Sequence, residues 1–369
     1  MKDSIIFCPK GLCENKWSDV KEFLSKIAFA KESEISRECL PLVVSSMREL
    51  LSLLEEKVDL TLENAGGGFK FKAETFDLEC ERKLVRNLNG VAESIYNGLG
   101  AVDNKLFNMD GPYPYYTQQP LRILFVGREA CWMGGRNYIQ TLLGDLKNGK
   151  VGEWSIDQYP FHKRQFYMAY GILAAAQATG SFPDWEKVPW ASDLGKILFA
   201  RNQRNDEANK EAVIKPDNDL TNMSWAFMNL SKLSNDTGDW RTDDRRYRPF
   251  VENNKDYIIE EIALLRPDVI IGANVYDLID ILGYNNKPDV SEPACYYYEA
   301  QKSKVCGNWK LPPFLNCYHF SAIKSDQGCF YDAVKRVLSL DYRLEKIIAN
   351  HQKWGEEHSS EILRCACCQ

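Results

Sequence analysis

The sequence has few histidines and no excess of positive charge, and it contains neither a long apolar run nor a standard nucleotide-binding loop. Its 46 lysine and arginine residues are outnumbered by 52 aspartate and glutamate residues. The formal net charge of −6 argues against a protein that holds nucleic acid by bulk charge alone. No window approaches the roughly 20 apolar residues of a membrane span, so we expect no contact with a membrane.

The amino terminus, MKDSIIFCPKG, has too short an apolar run for a signal peptide, and this predicts a cytoplasmic protein. Twelve cysteines are scattered without close pairing, which is typical of reduced thiols rather than of a disulfide framework. The runs CPKGLC at 8–13 and CACC at 365–368 lack the paired C-x2-C spacing of a zinc site. We therefore expect free cysteines and no metal or other cofactor.

Helical and strand-like patterns divide the chain into three parts. Apolar residues at three- and four-residue spacing from residue 17 to about 100 predict helices. The Pro- and Tyr-rich stretch at 108–120 is typical of a connector, and the polar stretch at 201–220 is typical of an inserted loop. We predict an N-terminal helical domain at 1–118, an α/β domain at 119–340, and a C-terminal helix with a Cys-rich tail at 341–369.

Four apolar runs of strand length follow one another in the α/β part, namely RILFVG, SWAFMNLS, PDVIIGAN and FLNCYHFS. Their alternation with helical segments such as NKDYIIEEIALL predicts a parallel sheet sandwiched by helices. Each run ends in polar residues, among them Glu129, Asn229, Asn274 and His319. Ligands of open α/β sheets bind outside the carboxyl ends of the strands, so this edge is the predicted site.

In order and spacing, these strand ends resemble the motifs of the uracil-DNA glycosylase superfamily. That superfamily has a first motif G-x-[D/N/E/A]-P-[Y/G], an Asn-containing second strand, a P-x-V-I-x-x-x-G strand and a final H-P-S motif. The chain offers GREAC, FMNLSK, RPDVIIGAN and YHFSA over residues 121–340. The resemblance implies a glycosylase-like α/β fold that flips a base out of DNA. Ala130 and Phe320 stand where the family usually has proline, which favours a damaged, deaminated or modified base over plain uracil.

The resemblance implies two catalytic residues. Glu129 falls on the residue that positions or activates the attacking water, and a carboxylate also stabilises an oxocarbenium-like sugar. His319 falls on the histidine that donates a hydrogen bond to the departing base as negative charge gathers on it. The alternative interpretations are structural, namely a Glu129 paired with the adjacent Arg128 and a histidine satisfied within the fold.

The resemblance also implies base-binding residues. Gly127 belongs to the first motif, and Asn229 falls on the base-reading asparagine, whose amide offers both a donor and an acceptor. The alternative role of Asn229 is to cap the end of its strand. Tyr138 and Trp132 are the candidates to stack on the base, although aromatic residues in these places can equally belong to the core.

Contacts to the DNA backbone are predicted from a wedge position and from basic runs. Ile323 lies where the family inserts an apolar wedge into the duplex, with Lys324 near phosphate. The runs FHKRQF, RTDDRRYR and QKSKVCGNWK are candidates for phosphate contact, and they provide Arg245, Arg246 and Lys304 as predicted DNA-binding residues. For any single run the alternative is a solvated charged surface.

Other classes of function stay open beside the glycosylase interpretation. A non-catalytic nucleic-acid-binding module on the same fold would bind DNA and release no base. A nucleoside- or nucleotide-processing enzyme could use the same kind of sheet, but GREACWMGG lacks the G-x-G-x-x-G of a dinucleotide site. Some branches of the superfamily hold an iron–sulfur cluster with cysteines flanking the second strand. FMNLSK and the following helical segment contain no cysteine, so no cluster is expected.

Overall fold

The computed structural model describes residues 68–178, 181–198, 223–237, 241–299, 305–306 and 309–357. Outside these ranges lie the helices predicted up to residue 67, the terminal cysteine runs, the inserted loop at 201–220, and Lys304. The described residues form an α/β structure in which helices flank a seven-stranded sheet.

The strands of the described residues form one large sheet and two short hairpins. In chain order they are β1 (Gly111–Pro112), β2 (Ile123–Cys131), β3 (Lys150–Val151), β4 (Trp154–Ser155), β5 (Ala226–Asn235), β6 (Val269–Ala273), β7 (Val290–Glu292), β8 (Cys295–Tyr298), β9 (Val305–Cys306), β10 (Trp309–Lys310) and β11 (Phe314–Cys317). The large sheet has the order β1-β5-β2-β6-β11-β8-β7. The hairpins pair β3 with β4 and β9 with β10.

The four predicted strands form the centre of the large sheet. β5, β2, β6 and β11 are neighbours in that order and run parallel. The first four residues of β2 and all of β6 are buried, as continuous apolar runs without alternation require when both faces of a strand are covered. The prediction of an α/β fold is therefore confirmed.

Both edges of the sheet depart from the predicted parallel arrangement. At one edge, β1 pairs antiparallel with β5. At the other edge, β8 pairs antiparallel with β11, and β7 pairs antiparallel with β8. Only two residues, 293 and 294, join β7 to β8. A connection this short can only reverse the chain, because parallel neighbours need a long crossover. The sheet is mixed, with a parallel centre.

Helices pack around this sheet. In chain order they are α1 (Glu79–Gly98), α2 (Ala101–Asn104), α3 (Tyr138–Lys147), α4 (Pro160–Ala178), α5 (Ala191–Ile197), α6 (Asp244–Asn253), α7 (Lys255–Leu265), α8 (Asp277–Leu282), α9 (Asp332–Ser339) and α10 (Arg343–Glu357). α1 packs against α7, α6 against β5, and α4 against α5 and α9. A π-helical turn at Gln327–Tyr331 leads into α9. None of the helices in the described ranges has the length and apolar character needed to cross a bilayer.

α1 is tied to the connector that follows it by a buried carboxylate. Glu81, which is 1% exposed, accepts hydrogen bonds from the backbone N–H of Tyr115 at 2.9 Å and of Thr117 at 3.0 Å. Apolar side chains of α1, such as Val85 and Leu88, belong to the same buried core as the side chains of β2. The domain boundaries predicted after residues 118 and 340 stay predictions.

Candidate functional site

The carboxyl ends of the four parallel strands lie at one edge of the sheet, where an α/β fold places its ligands. β5 is buried along its whole length, although half of its residues are polar. These polar residues occupy the carboxyl-terminal part of the strand and are each at most 4% exposed: Asn229, Ser231, Lys232, Ser234 and Asn235. Burying a polar side chain costs free energy unless it finds a partner, so this concentration marks the candidate site.

Gly127 and Asn229 lie side by side on β2 and β5. A Cβ atom at position 127 would come within 2.5 Å of Asn229 Oδ1 and 3.3 Å of the Phe227 ring, so glycine leaves the room that the amide occupies. Asn229 is 2% exposed, and its Nδ2 has no hydrogen-bond partner within the described residues. Its backbone N–H donates to Asp110 Oδ2 at 2.6 Å. The amide is covered by protein beside the Asp110 carboxylate, and it places a buried polar group at this end of the sheet.

A row of aromatic rings leads from Tyr138 to His319. The ring centres are 4.8 Å apart between Tyr138 and Phe227, 5.7 Å between Phe227 and Phe161, and 5.6 Å between Phe161 and His319. Tyr138 is only 9% exposed, whereas Phe161, at the start of α4, is half-buried. Phe161 is therefore better placed than Tyr138 to contact a ligand beside His319. The run FHKRQF predicts a basic cluster, so the sequence gives no signal for this aromatic contact.

His319 lies at the surface just after β11, and one of its ring nitrogens is occupied. Nδ1 accepts a hydrogen bond from the backbone N–H of Ser321 at 3.2 Å, so the neutral ring carries its proton on Nε2. Packing against surrounding protein lowers the pKa of His319, and the positive charges of Arg128 and Arg164 act in the same direction. The ring is neutral near physiological pH and can donate through Nε2.

Arg164 holds the loop that follows His319. It is 3% exposed and donates to the carbonyl oxygens of Phe320 at 2.5 Å, Ala322 at 2.7 Å and Lys324 at 2.7 Å, and to Asp326 Oδ1 at 2.8 Å. Its neighbour Lys163 also pairs with Asp326, at 2.7 Å. Lys163 and Arg164 of FHKRQF are thus paired within the protein, so they are poorly placed to bind a phosphate. Their role is to fix the loop at 320–326.

That loop presents the two residues predicted to meet DNA. The Ile323 side chain is fully exposed at 101%, which is the geometry that a wedge requires. Lys324 Nζ lies 5.0 Å from the centre of the Tyr318 ring, and Tyr318 is itself 36% exposed. The exposed end of the loop therefore combines an apolar side chain, an aromatic ring and a cation.

Glu129 lies near the end of β2 and is held by two donors. Its Oε1 accepts from Asn235 Nδ2 and from the backbone N–H of Asp243, both at 3.2 Å, and Oε2 has no protein donor in the described part of the chain. Burial raises the pKa of Glu129 to about 7, although these two hydrogen bonds act to lower it. The carboxyl group can therefore exchange a proton near neutral pH. No hydrogen bond joins it to His319 among the described residues.

Arg128 does not neutralise Glu129 by an ion pair. Its guanidinium pairs with Asp244 at 3.2 Å and lies 4.4 Å from the centre of the Tyr247 ring, so both of these contacts are with α6. Trp132, directly after β2, has a positive φ of 63°, and its backbone N–H donates to Asp236 Oδ1 at 2.9 Å. Its half-buried ring lies at the same end of β2 as Glu129.

The two arginines predicted to contact phosphate differ in their surroundings. Arg245, in the first turn of α6, is exposed, and its guanidinium makes no ion pair with any described residue. Arg246 pairs with Asp103 at 2.8 Å. Arg245 is thus free to meet a phosphate, whereas Arg246 is occupied within the fold.

A cluster of three buried charges lies behind Asn229. Lys232 Nζ donates to Asp110 Oδ1 and to Glu261 Oε1, the latter at 3.0 Å, and all three side chains are at most 5% exposed. Burial raises the pKa of Glu261 to about 7 and that of Asp110 above its usual range. Because Asp110 also accepts from the backbone of Asn229, the cluster supports the candidate site. Asp110 lies in the run NMDGPYPYY, which predicts only a connector.

In the described ranges, no group of three or more His, Cys, Asp or Glu side chains is arranged to hold a metal ion. Four cysteines with described side chains are free thiols, namely Cys131, Cys295, Cys317 and Cys329. Comparisons with protein-family models, with curated proteins and with solved structures find no match for this chain. The function is therefore inferred from the chemistry of this site.

Proposed function

We propose that this protein is a DNA glycosylase that hydrolyses the N-glycosidic bond of a damaged, deaminated or modified base flipped out of DNA. The observation that carries the proposal is the arrangement at His319. Its Nδ1 is occupied by Ser321, so Nε2–H is available as a donor, and the ring lies 5.6 Å from that of Phe161. A flipped base can stack on the aromatic ring while the imidazole stabilises the charge that it gains on leaving.

The residues around His319 support the same proposal. Asn229 holds a buried amide, and Gly127 provides the room for it. The strands that carry the glycosylase-like motifs are neighbours in the parallel centre of the sheet, and this arrangement supports a uracil-DNA glycosylase-like fold as part of the proposal. Glu129 and His319 need not touch, because one acts on the water beside the sugar and the other on the base.

Each group has a defined part in the hydrolysis. Ionised Glu129 accepts a proton from a water molecule, whose oxygen forms a bond to the anomeric carbon of the deoxyribose. The bond between that carbon and the base nitrogen breaks, and its electron pair leaves with the base. The Nε2–H of His319 stabilises the resulting negative charge on the base, which then takes up a proton from solvent. The products are a free base and an abasic site.

The proposal is tested by measuring release of free base by mass spectrometry from DNA that carries a panel of modified bases. Glu129→Gln should lower the rate by about 10²–10⁴-fold, because it removes the general base. His319→Ala should lower the rate by about 10²–10³-fold, because it removes the donor to the leaving base. Glu153→Gln, at an exposed turn, is the matched control and should keep the wild-type rate.

The pH dependence provides a second readout of Glu129. Only the ionised carboxylate can accept a proton, so below a pKa of about 7 the wild-type rate should fall by about tenfold for each pH unit. Glu129→Gln should lose this acid limb. Near-normal base release by both variants would refute the assignment. DNA binding with no base released by the wild type would favour a non-catalytic binding module.

A further inference from the structure

Three tyrosines gather beside His319 on neighbouring strands. Tyr276 follows β6, Tyr318 follows β11, and Tyr296 lies in β8. Tyr276 is 49% exposed, Tyr318 is 36% exposed, and the ring centres of Tyr276 and Tyr296 are 6.5 Å apart. Partial burial and the nearness of Tyr296 and Tyr318 raise the pKa of Tyr276. We call this set the tyrosine cluster.

Hydrogen bonds connect the chain segments that precede Tyr276 and Tyr318. The backbone N–H of Asn274 donates to the carbonyl oxygen of Cys317 at 2.9 Å, and that of Val275 donates to Asn316 Oδ1 at 2.8 Å. These bonds tie the turn before Tyr276 to the residues before Tyr318. The backbone positions from which Tyr276 and Tyr318 project are therefore held close to each other.

A cation lies beside the cluster, and its backbone is held by Arg164. Lys324 Nζ lies 5.0 Å from the centre of the Tyr318 ring, and the carbonyl oxygen of Lys324 accepts a hydrogen bond from buried Arg164. An aromatic surface with a positive charge at its side is the arrangement that proteins use for single-stranded nucleic acid, in which bases stack on rings and phosphates meet cations.

We propose that the tyrosine cluster and Lys324 bind unpaired nucleotides of a single-stranded nucleic acid next to the candidate site. Bases inside a duplex have both faces covered by their neighbours, so only unpaired bases can stack on these rings. The adjacency of Tyr318 and His319 in the chain places the bound strand beside a flipped target base. The inference rests on the proposed function for the identity of that target, but binding by the cluster does not require base release.

The test uses the full chain and a fluorescein-labelled oligothymidylate, alone and annealed to its complement, with affinity measured by fluorescence anisotropy. The single strand should bind more tightly than the duplex. Tyr276→Ala and Tyr318→Ala should each weaken single-strand binding by about tenfold, because each removes one stacking surface. Tyr276→Phe and Tyr318→Phe keep the ring and should keep the wild-type affinity.

Tyr342→Ala is the matched control, because Tyr342 is 74% exposed and lies outside the cluster. Wild-type affinity in both cluster alanine variants, or tighter binding of the duplex than of the single strand, would refute the inference. Base release from the panel of modified-base DNAs, measured with the same protein preparations, separates the two proposals. If the wild type releases a base and the alanine variants bind the single strand normally, the proposed role of the tyrosine cluster is refuted and the glycosylase proposal stands. If the alanine variants bind the single strand more weakly and the wild type releases no base, the glycosylase proposal is refuted and the role of the tyrosine cluster stands.

Discussion

Lys232 is the cation of the buried cluster behind Asn229, and its replacement by methionine tests what that charge does. Lys232→Met keeps an unbranched side chain of similar length but removes the ammonium group. Asp110 and Glu261 would then share a site in which all side chains are at most 5% exposed, without a cation between them. The substitution thus leaves two carboxyl groups buried and unpaired.

The expected loss of stability follows from this burial. Removing one partner of a buried ion pair costs about 3–5 kcal/mol, because the remaining charge is left without compensation. The loss of stability should depend on pH, because the two carboxyl groups lose their negative charge when they take up protons. A group with a raised pKa in the folded state, such as Glu261 at about 7 against 4.5, stabilises the fold at low pH and loses that contribution as pH rises through about 7. Lys232→Met should raise these pKa values further.

The assay is urea unfolding followed by tryptophan fluorescence. At about pH 8 Lys232→Met should lose most of the 3–5 kcal/mol, and at about pH 5 the loss should be clearly smaller. Adding Asp110→Asn and Glu261→Gln should restore much of the stability at about pH 8, because no buried charge then remains. Lys346→Met, at an exposed position of α10, is the control and should leave stability unchanged.

Two results would refute this reasoning. An equal loss at both pH values would show that the carboxyl groups do not titrate in the folded state. No loss at either pH would show that Lys232 does not neutralise the cluster.

The remaining predictions concern the loop after His319 and the phosphate contact. Arg164→Met removes the donors to the carbonyl groups of 320–326, and the resulting misplacement of His319 should lower kcat for base release by about 10²-fold with little change in KM. Arg164→Lys should restore only part of kcat, because lysine lacks the planar fork, and an unchanged kcat in Arg164→Met would contradict a positioning role. Arg245→Ala should reduce the slope of log affinity for DNA against log salt by about 0.9, whereas Arg246→Ala should leave it unchanged because Arg246 is paired with Asp103. Equal slopes in the two variants would contradict this distinction.

The sheet could be predicted because its signal is local. Ile123 to Val126 and Val269 to Ala273 are continuous apolar runs of strand length, and such runs are stable only when both faces of a strand are covered. The antiparallel edges could not be predicted in the same way. β1 is two residues long, and β7 and β8 carry mixed side chains whose pairing depends on the strands beside them.

The site was only partly predictable for a related reason. Asn229 follows the apolar first part of β5 and His319 follows β11, so their location toward the carboxyl ends of parallel strands follows from the order of the elements. Phe161 and Arg164 lie in a helix whose sequence shows only a basic run, and their contacts with His319 and the 320–326 loop span more than 150 residues of chain. No pattern within one segment reports such a contact.

The α/β class, the four central strands and the edge at which their polar ends meet can be predicted from sequence, because apolar runs and the alternation of strands with helices are patterns along the chain. The identity of the buried charged residues and of their partners became known from the three-dimensional structure alone. Lys232 and Glu261 are ordinary charged residues in the sequence, yet with Asp110 they form the buried cluster behind Asn229. A side chain becomes buried, and finds its partners, when distant segments of the chain pack together. This packing raises the pKa of Glu261 and leaves the Nδ2 group of Asn229 buried without a hydrogen bond among the described residues.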